Sequence, residues 1–306
     1  MGGSLTKFIV LRLLSVAAVV VMVTAITWLV IHLLRPEPFA GDPRGLLHQL
    51  ADYLKDAFLH FDLGQSWEGS NPQVADVLRQ GIPADLWLLF GGMAFGIVTG
   101  LAAGTYVGAR PRTLLSRVIE SVAMVFLCAP VYVVGLSLLL LFGIGIALAP
   151  FGFIPLKYVS FGDSPARWLG SLIVPWIVLG LPLAGMCTRM MNSSIREVLH
   201  EEFIRTALAK GISERTMLRR HAAPAAAAPV FTLAGVTVPV MVTNMVLVEL
   251  TFSIPGVFQT FRSSMDNEDY PVIMGIVISA AVLVAIGSLL VDLALAWLDP
   301  KTRNAI

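Results

Sequence analysis

The sequence predicts an all-α membrane protein with six transmembrane helices. Of its 306 residues, 57% are hydrophobic and only 13% are charged, a far more apolar composition than that of soluble globular proteins. Several apolar runs reach the length of about 20 residues that a helix needs to cross ~30 Å of hydrocarbon. These runs are continuous and lack the roughly ten-residue alternating segments of membrane barrels. The spans are therefore expected to be helical.

Six runs are long enough to cross the membrane. They cover residues 8–34, 86–107, 118–142, 168–190, 224–250 and 271–298. The first has basic residues near its start, as an export signal does, but it is longer than the apolar core of a signal peptide, and no small-x-small cleavage site follows it. We interpret it as a retained anchor. Cys128 and Cys187 lie within or at the edge of spans, where packing is a better explanation than a disulfide or a metal site.

The positive charges give an orientation and a division of the chain. With both termini inside, 14 of the 21 lysines and arginines fall on the cytoplasmic side, in agreement with the positive-inside rule. Residues 1–34 are then the N-terminal cytoplasmic end with the first transmembrane helix, and residues 35–80 are an extracytoplasmic loop with a short surface helix. Residues 81–306 form a core with five transmembrane helices. This topology explains the basic clusters without nucleic acid.

A short charged helix, at about residues 201–211, is expected between the fourth and fifth spans. Four apolar residues at helical spacing form a ridge on this otherwise polar rod, namely Phe203, Ile204, Ala207 and Leu208. Gly211 can adopt the positive φ that ends a helix, and Ser213 can cap the next one. The chain is therefore predicted to turn sharply here and to offer a handle to a soluble partner.

Charged and polar residues in or beside the spans are the usual pointers to a transport path. Glu249, at the outer end of the fifth span, is either a solvated helix-end carboxylate or part of a gate. Met241, Asn244 and Met245 suit a pore wall or helix packing equally well. Asp292 is expected to pair with a basic residue near the inner surface. The outer segment before the sixth span carries Asp266, Glu268 and Asp269, which are candidates for a docking rim.

Two other classes of protein, an intramembrane enzyme and a membrane scaffold, are alternatives to a transporter. Residues 200–204 begin like the zinc motif H-E-x-x-H, but Ile204 stands where the second histidine must bind the metal. The sequence contains neither a G-x-S-x-G elbow nor a P-loop, so hydrolysis of peptide or ATP by this chain is not expected. A membrane scaffold without transport would tolerate replacement of the charged loop.

The loop and several shorter motifs carry a family resemblance over nearly the whole chain. Residues 188–230 resemble the cytoplasmic signature loop of B-type permease subunits of bacterial dipeptide and oligopeptide ABC importers. In the order of that family, the chain also has GDP at 41–43, DLGQS at 62–66, ELTFSIPG at 249–256, DYP at 269–271 and DPKTR at 299–303. It departs from the family at Pro224, where we expect a kink or a helix start.

The resemblance implies a type I ABC importer permease fold with a cytoplasmic coupling helix between helices 4 and 5. It implies a permease subunit, in the bacterial plasma membrane, that forms half of the path of an ATP-driven importer of dipeptides or oligopeptides. Relatives that carry glutathione, nickel complexes or haem leave the cargo open. The coupling residues implied are Glu202, Phe203, Ile204, Arg205, Thr206, Ala207, Leu208, Lys210 and Gly211.

The same resemblance implies a set of partners. These are a second, homologous permease subunit in a heterodimer, two ABC ATPase subunits and an extracytoplasmic substrate-binding protein, besides membrane lipid. No cofactor is expected on this chain, because ATP and Mg would be bound by the ATPase subunits.

Overall fold

Helices form nearly all of the regular structure in the computed structural model, which describes residues 2–34, 45–67, 71–143 and 158–298. In these ranges, five helices are long and apolar enough to cross a membrane, and the number is six when one bent helix pair is counted as a span. Pairing of the β type is limited there to a single bridge between Gln65 and Gln73. The predicted all-α membrane fold is confirmed, with six spans when the bent pair is included. The motifs at 41–43 and 299–303 lie outside the described residues.

The α-helices of the described residues follow one another along the chain. They are α1 (Gly2–Leu34), α2 (Leu46–Lys55), α3 (Val74–Ala109), α4 (Leu114–Cys128), α5 (Val131–Gly143), α6 (Pro165–Val198), α7 (Glu202–Ala209), α8 (Glu214–Met217), α9 (Ala223–Phe252), α10 (Phe261–Asp266) and α11 (Tyr270–Leu298). A π turn, Asp56–His60, extends α2, so a short helix lies in the loop where one was expected.

The third predicted span, residues 118–142, is not one straight helix. It is divided into α4 and α5, which are bent by 109° at the break. Ala129 adopts an extended conformation with φ −74° and ψ 131°, as the ring of Pro130 requires of the residue before it. Pro130 also has no N–H with which to continue α4. The run is as apolar as predicted, but the prediction that it forms one continuous helix is wrong.

The fifth span begins as Pro224 led us to expect. A π turn, Leu218–Ala222, joins α8 to α9, and α9 starts at Ala223 with proline in its first turn. Ala222 is itself helical, so the backbone runs on from α8 into α9, and the π turn just before Pro224 makes room for its ring and for its missing N–H. The departure from the family pattern is therefore accommodated by a local widening of the helix.

The chain forms two compact units, of which the first comprises residues 1–86 and 255–286. Two buried carboxylates hold its segments together. Both oxygens of Asp85 accept a hydrogen bond from Val257 N, at 3.2 and 3.1 Å. Asp269 accepts hydrogen bonds from Ser66 Oγ and Trp67 N. The motifs at 62–66 and 269–271 are thus joined directly in space.

The second unit comprises residues 87–254 and 287–306, and a glycine stripe on α3 allows α6 to approach closely. Five glycines at four-residue intervals line one side of α3, namely Gly92, Gly96, Gly100, Gly104 and Gly108. A Cβ added at each would lie within 3.0 Å of an α6 atom, for example 2.3 Å from Cys187 Cβ at Gly100. Small residues at this spacing are a common basis of helix packing in membranes.

Candidate functional site

The helix α7 lies between the fourth and fifth spans and ends in a defined turn. Gly211 N donates to Leu208 O at 2.9 Å, and Ile212 N donates to Ala207 O at 3.3 Å. This pair of bonds is a Schellman motif, which needs a left-handed residue just beyond the helix. Gly211 supplies it with a φ of +80°. The Oγ of Ser213 then accepts from Thr216 N and caps α8, so both predictions for this turn are confirmed.

The apolar ridge of α7 divides into anchored and exposed residues. Ile204 is 1% exposed and Ala207 is 8% exposed, whereas Phe203 and Leu208 are 46% and 45% exposed. At 100° per residue, Phe203 and Leu208 lie on the two edges of the ridge, with the other two between them. From the sequence, all four residues are expected to contact a partner subunit. The structure instead uses Ile204 and Ala207 to hold α7 against its own chain.

The remaining coupling candidates form the outer surface of this helix. Glu202, Arg205, Thr206 and Lys210 are all exposed. The hydroxyl of Thr206 donates back to Glu202 O at 3.0 Å. Since Glu202 stands in the first turn, its charge also matches the positive end of the helix dipole. A partner would therefore meet two apolar side chains set among charged ones.

A short turn connects α6 to α7. Leu199 N still bonds to Ile195 O, while His200 N and Glu201 N donate to Glu197 O and Val198 O at 3.0 Å each. These bonds continue from the last turn of α6 to Glu201 without an interruption.

The last turns of α6 are also tied sideways to α4. Asn192 Nδ2 donates to Glu120 Oε1 at 2.8 Å, and Arg196 Nε donates to Asn192 Oδ1 at 2.9 Å. The Arg196 guanidinium also lies 3.8 Å from Glu120 Oε1. This cluster couples the two helices just before the turn into α7.

The residues proposed for a transport path share one helix, α9. Met241, Met245 and Glu249 recur every fourth position and are 4%, 0% and 0% exposed, so they form one buried face. Asn244 is half-buried beside it. The complete burial of Glu249 corrects the alternative of a solvated carboxylate at the end of the span. An ionisable group inside a membrane bundle is costly, and it is generally retained for a specific role.

The three acidic residues of the predicted docking rim do not share one environment. Asp266 and Glu268 are exposed, whereas Asp269 is 1% exposed. The Asp269 carboxylate faces inward, toward Ser66 and Trp67. Asp269 is therefore a structural residue, and the rim is reduced to the other two.

Comparison with known proteins identifies the family. The family described as binding-protein-dependent transport system inner membrane component matches residues 96–304, more than half of the chain. The chain belongs to this family. As an inner membrane component with several apolar helices, it is a multi-pass membrane protein, and its helical architecture is consistent with a type I ABC permease fold.

Individual relatives of this inner membrane component cover most of its length. It is 27% identical to the dipeptide transport system permease protein DppB of Bacillus subtilis, over 98% of both chains. It is 28% identical to a probable peptide ABC transporter permease protein of Sinorhizobium fredii, over 97% of this chain and 99% of the other. A putative peptide permease protein of Brucella suis is 31% identical, over 79% and 75%.

Sequence reasoning missed three features of this inner membrane component. The glycine stripe is visible as a four-residue repeat from residue 92 to 108, and that spacing was the available signal. Asp85 and the Glu120–Asn192 contact left no comparable pattern, because their partners lie 172 and 72 residues away. Hydrogen bonds across such separations are set by the packing of the helices.

Proposed function

We propose that this chain is the permease subunit of an ATP-driven importer of dipeptides or oligopeptides and forms half of the translocation path. The relatives support peptide as the cargo, since they are named as dipeptide or peptide permeases and match this chain over nearly its full length. By this proposal the chain is not an enzyme and binds no cofactor, and ATP with Mg is bound and hydrolysed by partner subunits.

The observation that carries the proposal is the division of the α7 ridge. Phe203 and Leu208 are about half exposed on a helix that Ile204 and Ala207 fix to the chain. Full burial of one large apolar side chain is worth roughly 1.5–3 kcal/mol, so two half-exposed ones can contribute appreciably to a contact. We assign this surface to a cleft of an ATPase subunit, whose motion reaches α6 through the continuous turn at 199–201.

The proposed assembly contains a second homologous permease subunit, two ATPases and an extracytoplasmic binding protein. Both termini and α7 face the cytoplasm, as the distribution of basic residues favours. The buried face of Met241, Met245 and Glu249, with Asn244 beside it, contributes to the path. Asp266 and Glu268 belong to the rim where the binding protein docks.

Reconstitution of the full assembly in liposomes tests this function. Phe203→Asp and Leu208→Asp each place a charge in the proposed ATPase contact and should abolish ATP-dependent uptake of a labelled dipeptide. Membrane insertion should be unchanged. The matched control is Leu114→Asp, because Leu114 is an apolar residue that is 77% exposed outside α7, and an acidic residue is favourable at a helix start. Normal uptake by both α7 variants would refute the proposal.

A further inference from the structure

A cavity of about 270 Å³ lies within the first unit, beside the end of α1. Its walls come from α1, from the extended α2, from the loop at 62–67 and from the start of α11. Liquid water occupies about 30 Å³ per molecule, so the cavity has room for a group of several heavy atoms. The transport function assigns no role to this cavity.

Four aromatic rings shape the cavity. Trp28 and Tyr53 are stacked with ring centroids 6.4 Å apart and an interplanar angle of 30°. Trp67 and Tyr270 meet edge to face, with centroids 5.6 Å apart. Trp28 is 5% exposed, whereas Trp67 is 49% exposed, so the former belongs to the closed end and the latter to the open end. Aromatic walls of this kind attract cations through the negative faces of their rings.

The charge of the lining is acidic. Asp56 and Asp62 both line the cavity and are exposed. The described residues that line it include no lysine or arginine. Asp62 Oδ1 accepts from Gly64 N at 2.9 Å, which fixes the side chain within the loop. Asp56 Oδ1 lies 3.0 Å from His60 Nδ1. Each carboxylate keeps a second oxygen for a bound donor.

Tyr53 enters the wall of the cavity as an uncharged ring. Its hydroxyl oxygen is buried, and burial raises the pKa of Tyr53 to about 12. The phenol therefore stays neutral at physiological pH, and its ring offers a negative face to a cation.

We propose that this cavity binds a primary ammonium group, held between the rings of Trp28, Tyr53, Trp67 and Tyr270 and the carboxylates of Asp56 and Asp62. An ammonium carries three N–H donors and one positive charge, which match two carboxylates and the aromatic faces. The group can come from an ethanolamine lipid headgroup or from the amino terminus of a peptide. The second source rests on the proposed function, and the first does not.

Binding is measured on the full chain in nanodiscs of phosphatidylglycerol, a lipid without nitrogen, so that no ATPase or uptake is involved. Ethanolamine should change the tryptophan fluorescence saturably, and N-acetylethanolamine, which lacks the charge, should not. Glycylglycine against its N-acetyl form tests the peptide source. Native mass spectrometry of chains extracted from mixed discs, counting retained phosphatidylethanolamine, tests the lipid source.

Two variants locate the site. Tyr270→Leu and Asp62→Asn should each weaken ethanolamine binding at least about fivefold, because one removes an aromatic face and the other removes a charge while keeping an acceptor for Gly64 N. The control is Asp163→Asn, since Asp163 is an exposed carboxylate outside the cavity. The absence of saturable binding, equal binding of the acetylated probe, or unchanged affinity in both variants would overturn the proposal. Peptide uptake could still be normal in that case.

Discussion

Ser66 Oγ donates a hydrogen bond to Oδ2 of Asp269, a residue 203 positions further along the chain. Trp67 N donates to the other carboxylate oxygen at 3.2 Å, and Val272 N in the first turn of α11 lies 3.5 Å from the same oxygen. Asp269 is 1% exposed. One buried carboxylate therefore caps α11 and closes the loop that follows α2.

Removal of this carboxylate should loosen the first unit. Asp269→Ala removes the acceptor of the buried Ser66 hydroxyl and of the partly buried Trp67 N–H, and an unsatisfied buried group costs about 1–3 kcal/mol. We expect a lower midpoint of thermal unfolding for the purified chain in detergent. Ser263→Ala is the control, because Ser263 is exposed and its hydroxyl donates to Thr260 O within its own turn. Equal midpoints for the two variants would contradict the assignment.

The glycine stripe makes a second prediction. A Cβ at Gly104 would lie 2.5 Å from Met191 Cβ and 2.6 Å from Thr188 O, so Gly104→Ala should force α3 and α6 apart. Overpacking of this kind costs about 1–3 kcal/mol. Gly235→Ala offers a matched control in the same unit, since its nearest new contact is Val291 Cγ1 at 3.4 Å. Thermal unfolding should distinguish the two, and a Gly104→Ala chain as stable as Gly235→Ala would argue against close packing.

Gly211 allows the turn after α7 to be tested through its backbone alone. No atom lies within 4 Å of a Cβ built there, and φ is +80°. Gly211→Pro cannot adopt this conformation and loses the N–H that bonds to Leu208 O, a change worth about 3 kcal/mol or more. Uptake by the reconstituted assembly should be lost while the chain still inserts. Gly211→Asn should retain uptake, because asparagine tolerates the left-handed conformation; loss in both variants would contradict a role through the backbone alone.

The stability of the first unit is expected to fall at alkaline pH because of Tyr53. Burial raises its pKa from the usual 10.0 to about 12, so the folded chain holds this proton more tightly than the unfolded chain does. Stability from this group is fully present below pH 10 and falls as pH rises toward 12, by about 2–3 kcal/mol in total. Tyr53→Phe should remove that part of the pH dependence in unfolding measurements. An identical decline in wild type and variant between pH 10 and 12 would assign it to other groups.

Structural features that are determined by a few neighbouring residues could be predicted from the sequence. The spans follow from hydropathy, and the turn after α7 follows from Gly211 and Ser213, because a helix end is specified by its own few residues. The division of the α7 ridge could not be predicted, since both Ile204 and Phe203 are apolar and only the packing of the chain decides which is covered. The burial of Asp269 could not be predicted from the sequence for the same reason. Its nearest charged neighbours in sequence, Asp266 and Glu268, are exposed.

The bend between α4 and α5 restricts which molecules can surround it in a membrane. A 109° turn interrupts the helical ladder, so carbonyl groups at the end of α4 lose their intrahelical donors. Acyl chains supply no donors, and irregular backbone at membrane depth persists only beside protein or in a hydrated space. Pro130 and the adjoining Cys128 are exposed in this isolated chain. The elbow therefore marks a position that another subunit covers or that water reaches, and lipid tails are excluded from it.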